Sequence, residues 1–215
     1  MNPRTTKDSL EDQSTLLILL HKLKERGFET KRLKLQKLVY LADVFGTVLE
    51  KKPTTYTFRV YKHGPFSAEI YADIERLVSV GLARAKEMEK WTPEQERSFN
   101  YTITRSGVER IEKILEIPEF VLKERAIELA LQVAGHLSGT KIRRLVYSEP
   151  NYMKARKKGF GSKISPNYEF ASKFREIAET VACEEYGLVL SGNEVSWLYT
   201  HLMREIQSEP QTVEA

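Results

Sequence analysis

The chain has 215 residues, 41% of them hydrophobic and 30% charged, with a formal net charge of +4. That length holds one large domain or a small one with an appendage, and it buries a core without disulfides or metal. A lone cysteine, Cys183, excludes an internal disulfide framework, and the longest apolar run, Leu16 to Leu20, is far short of the roughly 20 residues a membrane span needs.

Taken in chain order, Ser14 to Arg26 reads as a helix. Leu16, Leu19, Leu20 and Leu23 recur at three- and four-residue spacing, and Gly27 is placed to end it. Thr30 then caps a second helix that runs to about Val44, with Gly46 as its stop. Leu35, Leu38, Val39, Leu41 and Ala42 form its apolar face, which leaves Lys31, Arg32, Gln36 and Lys37 mostly outside. Pro53 to Tyr61 reads as a strand in which Tyr56, Phe58 and Val60 alternate with Thr55, Thr57 and Arg59. His63-Gly64-Pro65 breaks that strand.

Ser67 is the expected N-cap of a third helix, with Glu69 in its first turn, where a carboxylate suits the helix dipole. Ile70, Ile74, Leu77 and Val78 form its buried stripe, and Gly81 ends it. Leu82 to Glu89 and Ser98 to Ile103 are two further strands, joined by a polar wing over Lys90 to Arg97. Thr104 caps a helix to about Leu115. Beyond Pro118 only helices are expected: about Pro118 to Leu137, Thr140 to Tyr147, Tyr168 to Tyr186 and Val195 to Ile206. The linker Ser148 to Asn167, with Pro150, Gly159, Gly161 and Pro166, reads mostly as loop, and the tail after Gln207 as frayed.

KLQKLVYLAD at Lys34 to Asp43, followed by YKHGPFSAEIYADIERLVSVGLA at Tyr61 to Ala83, resembles the Panacea domain, a family also described as SocA-like antitoxins and phage-associated proteins. The chain is still more similar to a related bacterial and archaeal group typified by YwgA. There a like helix is followed by a Tyr-x-x-Gly-Pro-(Tyr/Phe)-Ser turn and an acidic helix ending in Gly-Leu. YTITRSG at Tyr101 to Gly107 matches the strand-to-helix step common in winged helices. The resemblance spans roughly Leu16 to Leu115, about half the chain. It implies a winged-helix fold and a binding role, in toxin neutralisation or as an adaptor, and it carries over no catalytic residue.

Four places are candidates for function. The third helix sits where a winged helix reads DNA, yet its outward set is Glu69, Asp73 and Glu75 against Arg76 alone, a net of one minus three, or −2. That chemistry repels phosphate and suits a protein partner. Trp91, at the tip of the wing, is a contact anchor or folds back on its hairpin. His63 lies beside a helix N-terminus that attracts anions, although Gly-Pro, Ser67 and a packed Phe66 explain the same turn structurally. The segment around Lys154, Arg156, Lys157, Lys158 and Lys163 interleaves cations with Tyr152, Phe160 and two glycines. Mobile glycines let backbone N–H groups approach phosphates, and the alternative is a solvated loop. A second basic cluster spans Lys22 to Lys37.

His21, His63, His136 and His201 are scattered and Cys183 falls in an apolar stretch with Val181 and Ala182, so no metal spacing appears and core packing is expected of the cysteine. There is no GxSxG, no P-loop and no dinucleotide fingerprint. No catalytic residue, cofactor or metal is therefore expected. Met1 to Asp12 has no apolar signal core, so the expectation is a cytoplasmic protein without a membrane partner.

The composite expectation is an α+β protein, mostly α: a winged-helix domain over residues 1–117 and a helical extension over 118–215 packed on it. The preferred function is a non-enzymatic protein-interaction module of the antitoxin or adaptor kind, with Glu69, Asp73, Arg76 and Trp91 facing a toxin or regulator. The alternative is a DNA-binding transcriptional regulator that holds phosphates with the wing and the basic loop. A homodimer through the C-terminal helices is compatible with either.

Overall fold

The structure is a computed structural model that describes residues 4–202 apart from 29, 50–51, 89–97, 166–167, 193, 196 and 200, with 168–170 described in backbone only. It is an α+β chain dominated by helices, with two small antiparallel hairpins. Helix α1 spans Thr6–Glu25 and begins earlier than its leucine stripe suggests. Thr5 and Asp8 form a reciprocal capping box there: the Thr5 hydroxyl accepts from the Asp8 N–H, and the Asp8 carboxylate accepts from the Thr5 N–H at 2.9 Å.

Helix α2, Arg32–Val48, is the centre of the molecule. Every residue from Leu35 to Val48 is buried, the signature of a helix enclosed on all sides. Two expectations are corrected here. Gly46 does not stop the helix, because neighbours surround that turn and hold it. Thr30 does not cap it: Lys31 occupies the cap position without a side-chain bond, and Thr30 instead pairs with the strand that follows the wing, its carbonyl accepting from Tyr101 N–H at 3.1 Å.

Of the strand expected over 53–61, only Arg59–Tyr61 forms one, β1. The missing backbone partner is replaced by carboxylates. Asp43 accepts from Thr54 N–H at 3.1 Å, Asp12 from Thr55 N–H at 2.9 Å and Glu69 from Thr57 N–H at 3.0 Å. Tyr56 and Phe58 still point inward, as the alternation requires. The His63-Gly64-Pro65 segment turns the chain into β2, Gly64–Phe66, which pairs with β1 as Arg59↔Phe66 and Tyr61↔Gly64. At Gly64, φ is +98°, and an added Cβ would lie 3.2 Å from the Lys37 ammonium and from the Tyr147 ring.

Helix α3, Ala68–Ser79, follows, then the hairpin β3, Ala83–Glu87, with β4, Phe99–Ile103. Helix α4, Arg105–Leu115, is capped by Thr104, whose hydroxyl accepts from Gly107 N–H at 3.1 Å. Past Pro118, α5 (Glu119–Ala134) packs on α2 and α1, and α6 (Gly139–Ser148) packs on α2. Pro150–Arg156, expected as loop, is a short helix, α7, because Glu149 accepts from the N–H groups of Asn151 and Tyr152 and Pro150 suits the first helical position. Helix α8 covers Tyr168–Tyr186 as expected. Further helical residues lie between 192 and 202, and the rest of the last expected helix lies outside the described residues. One apolar cluster joins α1 and α2 to Phe120, Leu131, Leu145 and Tyr199, so the core continues across Pro118. No helix among the described residues is long and apolar enough to cross a membrane.

Candidate functional site

The acidic face expected on α3 is largely absorbed by the fold. Asp73 faces inward rather than outward and is completely buried. Its carboxylate accepts from Tyr56 Oη at 3.0 Å, Gln13 Nε2 at 3.0 Å and Ser9 Oγ at 3.2 Å, and pairs with Arg4 at 2.5 Å. Arg4 also meets Asp12 at 2.8 Å. A charge deep in protein needs such partners, so Asp73 serves the joint between α1, α3 and residues 53–58. Glu69 is half-buried, accepting from Thr57 N–H and, at 2.8 Å, from Ser67 Oγ. Ser67 therefore sits at the cap position without capping the backbone. Arg76 remains exposed and donates to Ser9 at 3.1 Å. Trp91 and the rest of the wing lie outside the described residues.

The two basic clusters meet different fates. In the Lys22–Lys37 cluster, Lys22 pairs with Glu124 at 2.8 Å and Glu128 at 3.3 Å, Arg26 pairs with Glu128, and Lys34 donates to the Gly135 carbonyl. Helix α5 thus takes up much of that charge. Lys37, expected outside, is buried and donates to the Pro65 carbonyl at 2.7 Å. Burial pulls its ammonium down to about 7. Gln36, also expected outside, bridges the backbone of Ser67, donating to its carbonyl at 2.7 Å and accepting from its N–H at 3.0 Å.

The second cluster stays on the surface. Lys154 and Arg156 lie on α7, and Lys157, Lys158 and Lys163 on the loop after it; all five are exposed. That loop is not free to wander. It lies along the outer edge of β1: Gly161 N–H donates to the Val60 carbonyl and Val60 N–H to the Ser162 carbonyl, both at 2.9 Å, and Ile164 N–H donates to the Phe58 carbonyl, also at 2.9 Å. Arg59 pairs with Lys163 as a bridge and donates to the Gly161 carbonyl at 3.1 Å. Positive φ at Gly159 (+103°) and Gly161 (+80°) lets the chain turn into this register. The joined segments, residues 52–68 and 150–167, contain no aspartate or glutamate.

A row of rings lies across this face. Tyr61 stacks on Phe66 and leans on Phe160, each at 4.9 Å between centroids. Phe66 meets Tyr71 edge-on at 5.5 Å, and the Arg32 guanidinium covers Tyr71 at 3.7 Å. Phe66 does not pack beneath the turn; it is half-buried within this row. Phe160 is 70% exposed and Tyr61 48%. Arg59, Lys62 and His63 are exposed around them.

Behind the same segments is a cavity of about 340 Å³ lined by Tyr40, Asp43, Lys52, Thr54, Asn151 and Lys163 among others. Its buried carboxylates are already engaged. Asp43 pairs with Lys52 at 2.9 Å and accepts from Thr54 Oγ1 at 2.8 Å, and burial lifts its carboxyl to about 6. Tyr40 donates to Glu149, and burial raises the carboxyl of Glu149. These groups tie α2 to residues 52–58 and to the start of α7.

Among the described residues, no group of three or more His, Cys, Asp or Glu side chains is placed to hold a metal ion. Cys183 is exposed rather than in the core, because α8 turns Ala182 inward and leaves its neighbours outside. The basic loop and its Phe160 are legible in the sequence, but the rings that Phe160 joins, Tyr61 and Phe66, are not. The alternation at β1, with Val60 inward, already places Arg59 and Tyr61 on the outer face; the pairing of that strand with residues 160–164, about a hundred positions away, left no sequence signal. No protein-family model matches this chain, and no curated protein matches it.

Proposed function

We propose that this chain is a non-enzymatic binding protein whose working surface is the face formed by β1, β2 and residues 156–163, and that its partner is a nucleic acid. The observation that carries this reading is the joining of two carboxylate-free segments, fixed by backbone hydrogen bonds, around exposed aromatic rings. Phosphates bind to arginine and lysine by charge and by release of counterions, and rings add contact to bases. The order of α1, α2, the β1–β2 turn, α3, the β3–β4 hairpin and α4 supports reading residues 1–117 as a winged helix. Its third helix adds little to that role: the exposed charges of α3 are Glu75 and Arg76, which cancel and leave no net attraction to phosphates. A regulatory protein that holds nucleic acid through a lateral face fits this distribution.

A filter-binding assay with a labelled oligonucleotide, single- and double-stranded, tests the proposal. The parent chain is expected to bind in the micromolar range or tighter at low salt. The triple variant Arg156→Glu, Lys157→Glu, Lys158→Glu should lose at least about tenfold, since each reversed contact removes counterion release. Equal binding by the triple variant would refute the assignment of this face.

A second reading, a protein-interaction module of the antitoxin or adaptor kind, is supported by a different surface. Ile177 and Val181, one helical turn apart on α8, are 55% and 47% exposed. Leu188, Val189 and Trp197 are exposed nearby in sequence. A contiguous apolar patch on a helix face is the kind of surface that meets another protein. The Panacea-like residues at Lys34 to Asp43 and Tyr61 to Ala83 are the ground for its antitoxin or adaptor form.

A further inference from the structure

We infer that the face takes single-stranded nucleic acid, with unpaired bases stacked on the Phe160–Tyr61–Phe66 row and phosphates held by Arg59, Lys157, Lys158 and Lys163. This rests on the nucleic-acid reading above and narrows it to one class of ligand. In a duplex the bases stack on one another, so a ring lying on the protein surface finds no π-face to cover. Single strands offer those faces, and aromatic platforms beside cationic grooves take them without regard to sequence.

The geometry has the features such a platform needs. Phe160 ends the row and is 70% exposed, so its outer surface is open. The next ring lies 4.9 Å behind it and is followed by a third at the same spacing. Backbone bonds at 2.9 Å from Val60 to residues 161 and 162 hold the Phe160 loop against β1. The platform is therefore formed before the ligand arrives, and little ordering opposes binding. Cations neighbour the row along the chain. Arg59 precedes Tyr61 on β1 and Lys62 follows it, while Lys157, Lys158 and Lys163 bracket Phe160. The one carboxylate of α3 nearest in sequence to β2, Glu69, is already engaged, accepting from Thr57 N–H and Ser67 Oγ. An anionic strand thus meets no opposing charge from the joined segments.

The test compares the full chain against three labelled probes: a 12-mer of deoxythymidine, a 12-mer of the same backbone without bases and so with the same phosphate count, and a 12-base-pair duplex, which carries twice as many phosphates. A uridine 12-mer separates RNA from DNA, and tight binding of either supports the inference. The deoxythymidine 12-mer is expected to bind at least about fivefold tighter than the abasic strand, as loss of one base–aromatic stack requires. Phe160→Ala should erase most of that difference. Phe160→Trp should restore it and show fluorescence quenching when the thymidine strand is added. A circular dichroism melt matching the parent checks that each variant folds. Equal binding of thymidine and abasic strands, or an unaltered Phe160→Ala, overturns the stacking inference while leaving phosphate binding in place. Failure of all probes to bind at low salt removes the nucleic-acid reading itself.

Discussion

Lys37 is the residue whose environment departs furthest from its sequence context. It lies on a helix between two good core positions, Gln36 apart, and reaches the Pro65 carbonyl through the middle of the protein. Its amine ionises at about 7 in the folded chain against an ordinary 10.5. Across that interval the unfolded chain binds more protons than the folded one, so stability rises as pH goes from 7 towards 10.5 and falls on the way back. The melting temperature should therefore increase between pH 7 and 9 in the parent, and by less in Lys37→Met, which carries no ionisable group. Parallel curves for the two proteins would contradict the burial of this charge. Gly107 makes a different prediction. An added Cβ would stand 2.2 Å from the Leu82 carbonyl oxygen and 2.5 Å from Ile103 Cγ1. Gly107→Ala is expected to destabilise by about 1–3 kcal/mol, as overpacking does, and a urea titration measures it. From sequence, Gly107 stands out only as the end of the YTITRSG strand-to-helix step. Residues such as Asp12, Gln36, Lys37 and Asp73 look solvated by periodicity, because their partners lie far away in the chain and only the fold brings them together.

At the scale of elements, α3 separates structural from contact residues. Asp73→Ala removes the buried acceptor of Tyr56, Gln13 and Ser9, leaves Arg4 with Asp12 alone, and is expected to destabilise by about 3–5 kcal/mol. Arg76→Ala, on an exposed side chain, should stay within about 0.5 kcal/mol. Chemical denaturation of both variants decides the point; similar small effects would return Asp73 to a surface role. Elements whose signals are local were legible. Thr104 and Leu115 bound α4, and α8 begins and ends at Tyr168 and Tyr186, as the apolar spacing indicates. The strand over 53–61 was legible in its alternation but not in its pairing, because three carboxylates from three helices replace a neighbouring strand. Gly46 illustrates the converse: a residue that ends helices in isolation is carried through where α2 is enclosed. Helix α7 needed Glu149 read as a cap, a role less common for glutamate than for serine, threonine or aspartate.

At the scale of the whole molecule, the +4 charge matters less than where it resides. Glu124 and Glu128 of α5 pair with Lys22 and Arg26 of one basic cluster, and the other has no acidic partner within its own segment or the one it joins. The sequence showed both clusters and could not tell them apart, since the pairing of Lys22 and Arg26 with Glu124 and Glu128 spans about a hundred residues. The apolar face of α8 belongs to the second reading. If it is a protein contact between copies of this chain, light scattering after size exclusion should give a dimer, and Ile177→Asp with Val181→Asp should give a monomer. A monomeric parent would set self-association aside. The central claim, that residues 156–163 on β1 form a nucleic-acid surface, is tested most directly by the salt dependence of single-strand binding. For the parent, log K should fall linearly with log salt, by about 0.7 per phosphate neutralised. Lys157→Ala with Lys158→Ala should make that slope shallower by about 1.4, two contacts' worth. An unchanged slope in the double variant, or no binding by the parent at low salt, would contradict the account.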